Sequence, residues 1–156
     1  MGWKVQFIDY GNTDIVSSDV MQPWSGDTTT APLAYECKLA YVKSPSLEDT
    51  DGYGNEAGHF LAEQIMKKQL KAQIVAKSGD VFHLMLFDGD TNVNGEVLRS
   101  GYNSLTKDGK QNANASKELK ELRAAVEHAK RSRLNMWQYG DGEDDDDDEP
   151  RRAWGR

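Results

Sequence analysis

Val5-Gln6-Phe7-Ile8-Asp9-Tyr10-Gly11-Asn12 reads as a short apolar strand that runs straight into a polar glycine turn. In an extended backbone Val5, Phe7 and Asp9 point one way and Gln6, Ile8 and Tyr10 the other. Gly11-Asn12 accept the positive φ that a tight reversal needs, and Thr13-Asp14-Ile15-Val16 then reads as the second strand of a hairpin. Phe7 and Tyr10 flank Asp9 near the strand end, with the side-chain amide of Asn12 just beyond. Two aromatics, a carboxylate and an amide are the raw material of an aromatic pocket that holds a cation and orients it.

With 156 residues, 37% of them hydrophobic, the chain has room for one domain or one and part of another. No apolar run approaches a membrane span, so no membrane partner is expected, and Met1-Gly2-Trp3-Lys4 opens without the apolar segment of a signal peptide. The single cysteine, Cys37, excludes an internal disulfide and a cysteine-rich zinc site. It reads as a small buried residue in a strand and points to a reducing, intracellular compartment. His59, His83 and His128 have no second ligand at metal spacing, so neither metal nor cofactor is expected. The formal charge of -7 resides in the seven consecutive acids Glu143–Glu149, without which 19 acids balance 19 bases. The folded part therefore carries no strong net field.

Along the chain, Ser17-Ser18-Asp19 is placed to cap one helical turn over Val20-Met21-Gln22 before Pro23, and a polar loop from Ser25 to Pro32 marks a boundary. Leu33 to Lys43 reads as one strand with Leu33, Tyr35, Cys37, Leu39 and Tyr41 on one face, stopped by Ser44-Pro45. Leu47 to Asn55 reads as an acidic loop. From Glu56 to about Lys68, Ala57, Phe60, Leu61 and Ile65 recur at helical spacing. Leu70–Ala76 and Val81–Phe87 form a strand pair across Lys77-Ser78-Gly79-Asp80, the second apolar on both faces like a central strand. Asp88, Asp90 and Asn92 begin like a calcium loop, but Val93 and Arg99 stand where its glycine and last acid belong. Asn94 is placed to cap a short helix over Gly95–Ser100, with Gly101 just past its end. Thr106–Asn114 reads as a polar loop. Leu119, Leu122, Val126 and Ala129 mark the clearest helix, from about Ser116 to about Leu134, after which Trp137 and Tyr139 are expected to fold back on the core. Residues 142–156 are expected to be a disordered acidic tail.

The opening pattern closely resembles the signature strand and turn of Tudor domains. From Leu33 onward the chain resembles the staphylococcal-nuclease-like domain, an OB-type barrel with packed helices. The residues that carry this are Leu39-Ala40-Tyr41-Val42-Lys43-Ser44-Pro45, Gly54-Asn55-Glu56-Ala57, Asn94 to Tyr102 and Ala129 to Asp141. In this order they resemble the C-terminal region of the Tudor staphylococcal nuclease (Tudor-SN) family, over about residues 3 to 149. The resemblance implies an α+β fold, with part of a Tudor barrel at 1–32, a degenerate nuclease-like domain at 33–141 and a tail at 142–156. It also implies strands ahead of Met1, and hence a chain that is the C-terminal part of a longer protein with an unpaired sheet edge.

Active members of that superfamily hydrolyse phosphodiesters with a carboxylate-held calcium ion, a general-base glutamate and two arginines. At the positions that match the motif, Lys38 replaces an arginine, Lys43 the metal-ligand aspartate and Ser46 the base, while Lys77–Asp80 contains no second arginine. Lysine cannot hold calcium and serine cannot serve as that base, so no catalytic residue and no enzyme activity is expected. Phe7, Tyr10 and Asn12 match the family's methylarginine cage, with Asp9 in support. Taken alone, Phe7 and Tyr10 would be ordinary hairpin core aromatics; the resemblance favours the cage.

The partners then implied are Arg-Gly-rich proteins carrying dimethylarginine, within RNA-associated complexes of the cytoplasm and also the nucleus (RNA silencing, splicing and transcription co-activation). Because further cage walls belong to preceding strands, weak or no binding is expected of this chain alone. The alternative is a nucleic-acid module, with Lys117, Lys120, Arg123, Lys130, Arg131 and Arg133 as its basic face, or part of a nuclease active in other repeats. Glu118, Glu121 and Glu127 interleave that face, which favours a merely solvated helix surface.

Overall fold

The computed structural model describes residues 2–26, 31–47, 52–112 and 114–140. The loop at 27–30 and the tail read at 142–156 lie outside these residues. In order the elements are β1 (Gly2–Gln6), β2 (Thr13–Ser17), β3 (Cys37–Leu39), β4 (Val42–Lys43), α1 (Tyr53–Ile65), β5 (Lys71–Ser78), β6 (Val81–Asp88), β7 (Thr91–Asn92), α2 (Val93–Arg99), β8 (Ser104–Leu105), α3 (Lys107–Gln111) and α4 (Lys117–Arg131). This is the α+β class expected. The chain divides into two compact units, Met1–Ala40 with Ala72–Met85, and Tyr41–Lys71 with Leu86–Arg156.

In the first unit β1 and β2 form an antiparallel hairpin that ends at Gln6 opposite Thr13. The expected strand through Tyr10 is thus corrected: Phe7 to Asn12 are the connecting loop. Local hydrogen bonds explain the early end. The Phe7 amide donates to the Asn12 carbonyl at 2.9 Å, and the Gly11 amide to the Phe7 carbonyl at 2.8 Å. The Asp9 carboxylate accepts from the Tyr10 amide at 2.9 Å. A short acidic side chain offers the backbone a turn in place of a ladder. Gly11 sits at φ 74°, and a Cβ there would lie 2.8 Å from that of Ala34. The helical turn is a 3-10 turn over Ser18–Val20, earlier than Val20–Gln22, because the Ser17 hydroxyl bonds the Asp19 carboxylate and caps no amide. That hydroxyl holds the Asp19 carboxyl below its ordinary range.

β6 lies between β3 and β5, as its two apolar faces predict. β3 runs parallel to it, Cys37 opposite Phe82 and Leu39 opposite Leu84. The single strand expected over Leu33–Lys43 is interrupted, since Tyr41 adopts φ 63° and splits β3 from β4. Cys37, at the start of an edge strand, is exposed and not buried as expected. Its sulfur is still partly shielded beside the Tyr35 carbonyl at 3.5 Å. That burial first, and the Glu36 charge second, push the thiol up.

In the second unit α1 begins at Tyr53, within the stretch read as loop. Asn92, not Asn94, caps α2, its side chain accepting from the Gly95 amide at 3.3 Å. Asn94 is instead fully buried and accepts the Leu86 amide at 3.1 Å. The polar loop expected at Thr106–Asn114 contains α3. Thr106 caps this helix through the Gly109 amide at 3.2 Å, and Gly109 packs where a Cβ would meet Tyr41 and Leu105 at 3.2 Å. Tertiary packing thus overrides a composition that favours turns. α4 matches its reading. Ser116 accepts from the Leu119 amide at 3.2 Å, and Leu119, Leu122, Ala125, Val126 and Ala129 form its buried face. With Val97 and Leu98 of α2 they make the core. Fully burying a leucine contributes about 1.5–3 kcal/mol.

The ends of α2 and α4 meet in a seam. Gly101 follows α2 at φ 81°, and a Cβ there would lie 2.5 Å from the Leu134 carbonyl oxygen. Asn135 donates from its side chain to the Ser100 carbonyl at 2.7 Å. The Met136 amide donates to the Gly101 carbonyl at 3.1 Å. α4 itself closes with the Leu134 amide on Ala129 and the Arg133 amide on Lys130, the pattern of a left-handed helix terminator, and Arg133 takes φ 49° there. The seam delivers Trp137 into the core at 4% exposure, while Tyr139, expected to follow it, is 94% exposed.

Two substitutions test the seam by urea denaturation of the chain. Gly101→Ala should cost at least about 2 kcal/mol, from backbone strain and the clash with Leu134 together. Arg133→Gly should stabilise by about 1 kcal/mol, because it relieves a left-handed non-glycine residue.

Candidate functional site

The Asp9–Gly11 loop is held from both sides. Its own bonds fix Phe7 to Asn12, and the Leu33 amide donates to the Ile8 carbonyl at 2.6 Å. That second bond brings residues 34–36 alongside. The result is an open cleft of about 650 Å³ whose lining includes Lys4, Tyr10, Gly11, Ala34, Tyr35 and Glu36. Tyr10 is 85% exposed and Tyr35 55% exposed. The Tyr35 ring meets Phe82 edge to face at 5.5 Å, and Phe82 carries the Lys77 ammonium at 5.2 Å. Edge-to-face packing of this kind orients a ring without burying it.

Of the four residues read as a cage and its support, Tyr10 lines the cleft, whereas Phe7, Asp9 and Asn12 do not. Phe7 is 40% exposed and makes no ring contact with Tyr10 among the described residues. Asn12 contributes its carbonyl to the loop. Tyr35 and Glu36 went unread as site residues because their strand pattern placed Tyr35 on a sheet face. Neither local spacing nor composition signals the Leu33 to Ile8 bond that brings them to the loop.

The six basic residues of α4 and its end differ in what they engage. Lys117 reaches Glu121 at 3.8 Å, and Arg131 donates to the Glu127 carbonyl at 3.3 Å. Arg133 occupies the helix terminator. Lys120 is exposed. Arg123 and Lys130 converge on a cavity of about 250 Å³ that Lys110 and Trp137 also line. The Lys130 ammonium stands 4.7 Å over the Trp137 ring.

At the positions matching the nuclease motif, Lys38 lies on β3 opposite His83, and Lys43 on β4 opposite Ser104. Asp88 pairs with Lys68 at 3.0 Å. Among the described residues no three histidine, cysteine, aspartate or glutamate side chains cluster to hold a metal.

Residues 36–139 match the family model described as Staphylococcal nuclease homologue. The chain is 36% identical over 168 residues to Ribonuclease TUDOR 1 of Arabidopsis thaliana, covering 94% of this chain and 16% of that protein. To Ribonuclease TUDOR 2 of the same plant it is 29% identical over 172 residues, covering 99% of this chain and 17% of the relative. It therefore spans about a sixth of the length of these relatives. Among solved structures, the extended Tudor domain of Drosophila melanogaster Tudor-SN (p100) superposes with a TM-score of 0.73 at 21% identity, over 87% of this chain and 63% of that one. That likeness carries the fold, α+β with sheets and four helices. On the match across residues 36–139 and the relatives aligned along nearly its whole length, the chain belongs to the staphylococcal nuclease homologue family and is Tudor-SN-like.

Proposed function

We propose that this chain is a binding module of an RNA-associated protein, that it takes the dimethylated guanidinium of an Arg-Gly-rich segment, and that it does not itself cleave phosphodiesters. One observation carries the reading: Tyr10 is presented at 85% exposure on a bonded loop, in a cleft it shares with Tyr35 and Glu36. A methylated guanidinium keeps its charge and is poorly hydrated. An aromatic face attracts it at little desolvation cost, on the order of 0.5–2 kcal/mol per contact. Glu36 adds the opposite charge. In this reading Tyr10, Tyr35 and Glu36 make the contacts, and Phe7, Asp9 and Asn12, which do not line the cleft, hold the loop that presents Tyr10. Cytoplasmic and nuclear ribonucleoprotein complexes are its setting. The relatives bear the name ribonuclease; here Lys43 and Ser46 replace the groups that would bind calcium and activate water.

Titration of the chain with a symmetrically dimethylated Arg-Gly peptide should shift Tyr10 and Tyr35 resonances, weakly. Removing the methyl groups, or Tyr10→Ala, should weaken the interaction by about tenfold. Equal binding of methylated and unmethylated peptide would overturn the reading. Incubation with RNA and DNA in calcium should leave both intact; turnover that survives Lys43→Ala and stays with the purified chain would contradict the non-catalytic assignment.

A further inference from the structure

α4 buries Leu119, Leu122, Ala125, Val126 and Ala129 on one side. At about 100° per residue, Lys117, Lys120, Arg123 and Arg131 fall within an arc of about 120° on the opposite side. All four are exposed, and Glu127 is the one acid in that arc. Lys117 reaches Glu121 at 3.8 Å, and Arg131 donates to the Glu127 carbonyl at 3.3 Å. Lys120 and Arg123, and Arg133 just past the helix, make no ion pair with any described residue. Like charges gathered on one side of a helix raise a positive potential there.

The chain leaves the described fold beside this surface. Trp137 is 4% exposed, with the Lys130 ammonium of α4 4.7 Å over its ring. The Gly140 amide donates back to the Trp137 carbonyl at 3.1 Å, which keeps Gly140 within one turn of a residue packed on α4. The sequence that follows contains seven consecutive acids, Glu143 to Glu149. From Gly140 to Asp146, the middle acid, the backbone reaches up to about 20 Å at 3.3–3.6 Å per residue. Arg123 to Arg131 spans only about 12 Å of helix at 1.5 Å per residue.

We propose that the acidic segment Glu143–Glu149 docks, within its own chain, on the exposed side of α4, and that a polyanion must displace it to reach Lys120 and Arg123. Charge complementarity selects this occupant. The seven acids are the chain's whole charge imbalance, since 19 acids and 19 bases make up the rest. Exposed ion pairs contribute little one by one. Tethering offsets that weakness, because a short connection holds the acids near the helix at an effective concentration on the order of millimolar. The inference is independent of the methylarginine reading.

The test places a nitroxide at Asp146→Cys in the full chain carrying Cys37→Ser, and reads paramagnetic broadening of the backbone amides. Docking broadens Lys120, Arg123 and Ala124. Lys120→Glu with Arg123→Glu, both at exposed positions, should lower the docked population about tenfold. The amides of Trp137–Gly140, next to the point of exit, should stay broadened in that variant. Heparin added at constant ionic strength should release α4, because it competes for the same cations. Amides at Lys120 and Arg123 that are not broadened overturn the site, and so does broadening that survives heparin. An equal loss from Lys67→Glu with Lys71→Glu, outside α4, also overturns it, since that is repulsion by net charge. A mixture of nitroxide-bearing chain with isotope-labelled chain lacking the nitroxide should show no broadening of α4. Broadening there assigns the segment to a second copy and overturns docking within one chain.

Discussion

Backbone meets backbone where Gly101 approaches Leu134, and the organisation of residues 86–140 depends on that approach. No side chain fits between them: a Cβ on Gly101 would stand 2.5 Å from the Leu134 oxygen. The contact joins the end of α2 to the end of α4, which lets Leu98 and Leu122 reach zero exposure and brings Trp137 back under α4. Once the indole is there, Lys130 has a ring to cover and the cavity with Lys110 and Arg123 has its wall. The position of one glycine is in this way linked, through packing, to the arrangement of charges on a helix face.

A parallel constraint operates in the first unit on a smaller scale. The loop from Phe7 to Asn12 bonds to itself, and Gly11 lies against Ala34 too closely for any larger residue. These contacts leave Tyr10 outside, where a hydrophobic core would have drawn it in. An exposed aromatic on a bonded loop is oriented at little entropic cost when a ligand arrives, which is the physical basis for placing recognition there.

Periodicity revealed those parts whose burial is one-sided. α4 could be read from Leu119, Leu122, Val126 and Ala129, β6 from its two apolar faces, and the Gly101 terminator from the glycine itself. Elements made by local polar bonds or by distant contacts were harder to see. Asn92 and Asn94 are chemically equivalent in the sequence, and only the fold decides that one caps α2 while the other accepts the Leu86 amide. α3 contains Gly109 and reads as a loop until Tyr41 and Leu105 pack against it. Of the residues that line the cleft, Tyr10 was legible from its motif. Tyr35 was not, because it reaches the cleft through the Leu33 to Ile8 bond. The basic residues of α4 were visible as a set, but their division between ion pairs, helix terminator and cavity depends on helical phase and on Trp137.

Recognition by the Asp9–Gly11 loop, with the nuclease-like remainder as its scaffold, is the central proposal. The most direct measurement is of intermolecular nuclear Overhauser effects between the N-methyl groups of a dimethylarginine peptide and the aromatic protons of this chain. The account predicts contacts from the methyls to the Tyr10 ring and to Tyr35. Contacts confined to other aromatic residues, with none to Tyr10, would contradict it.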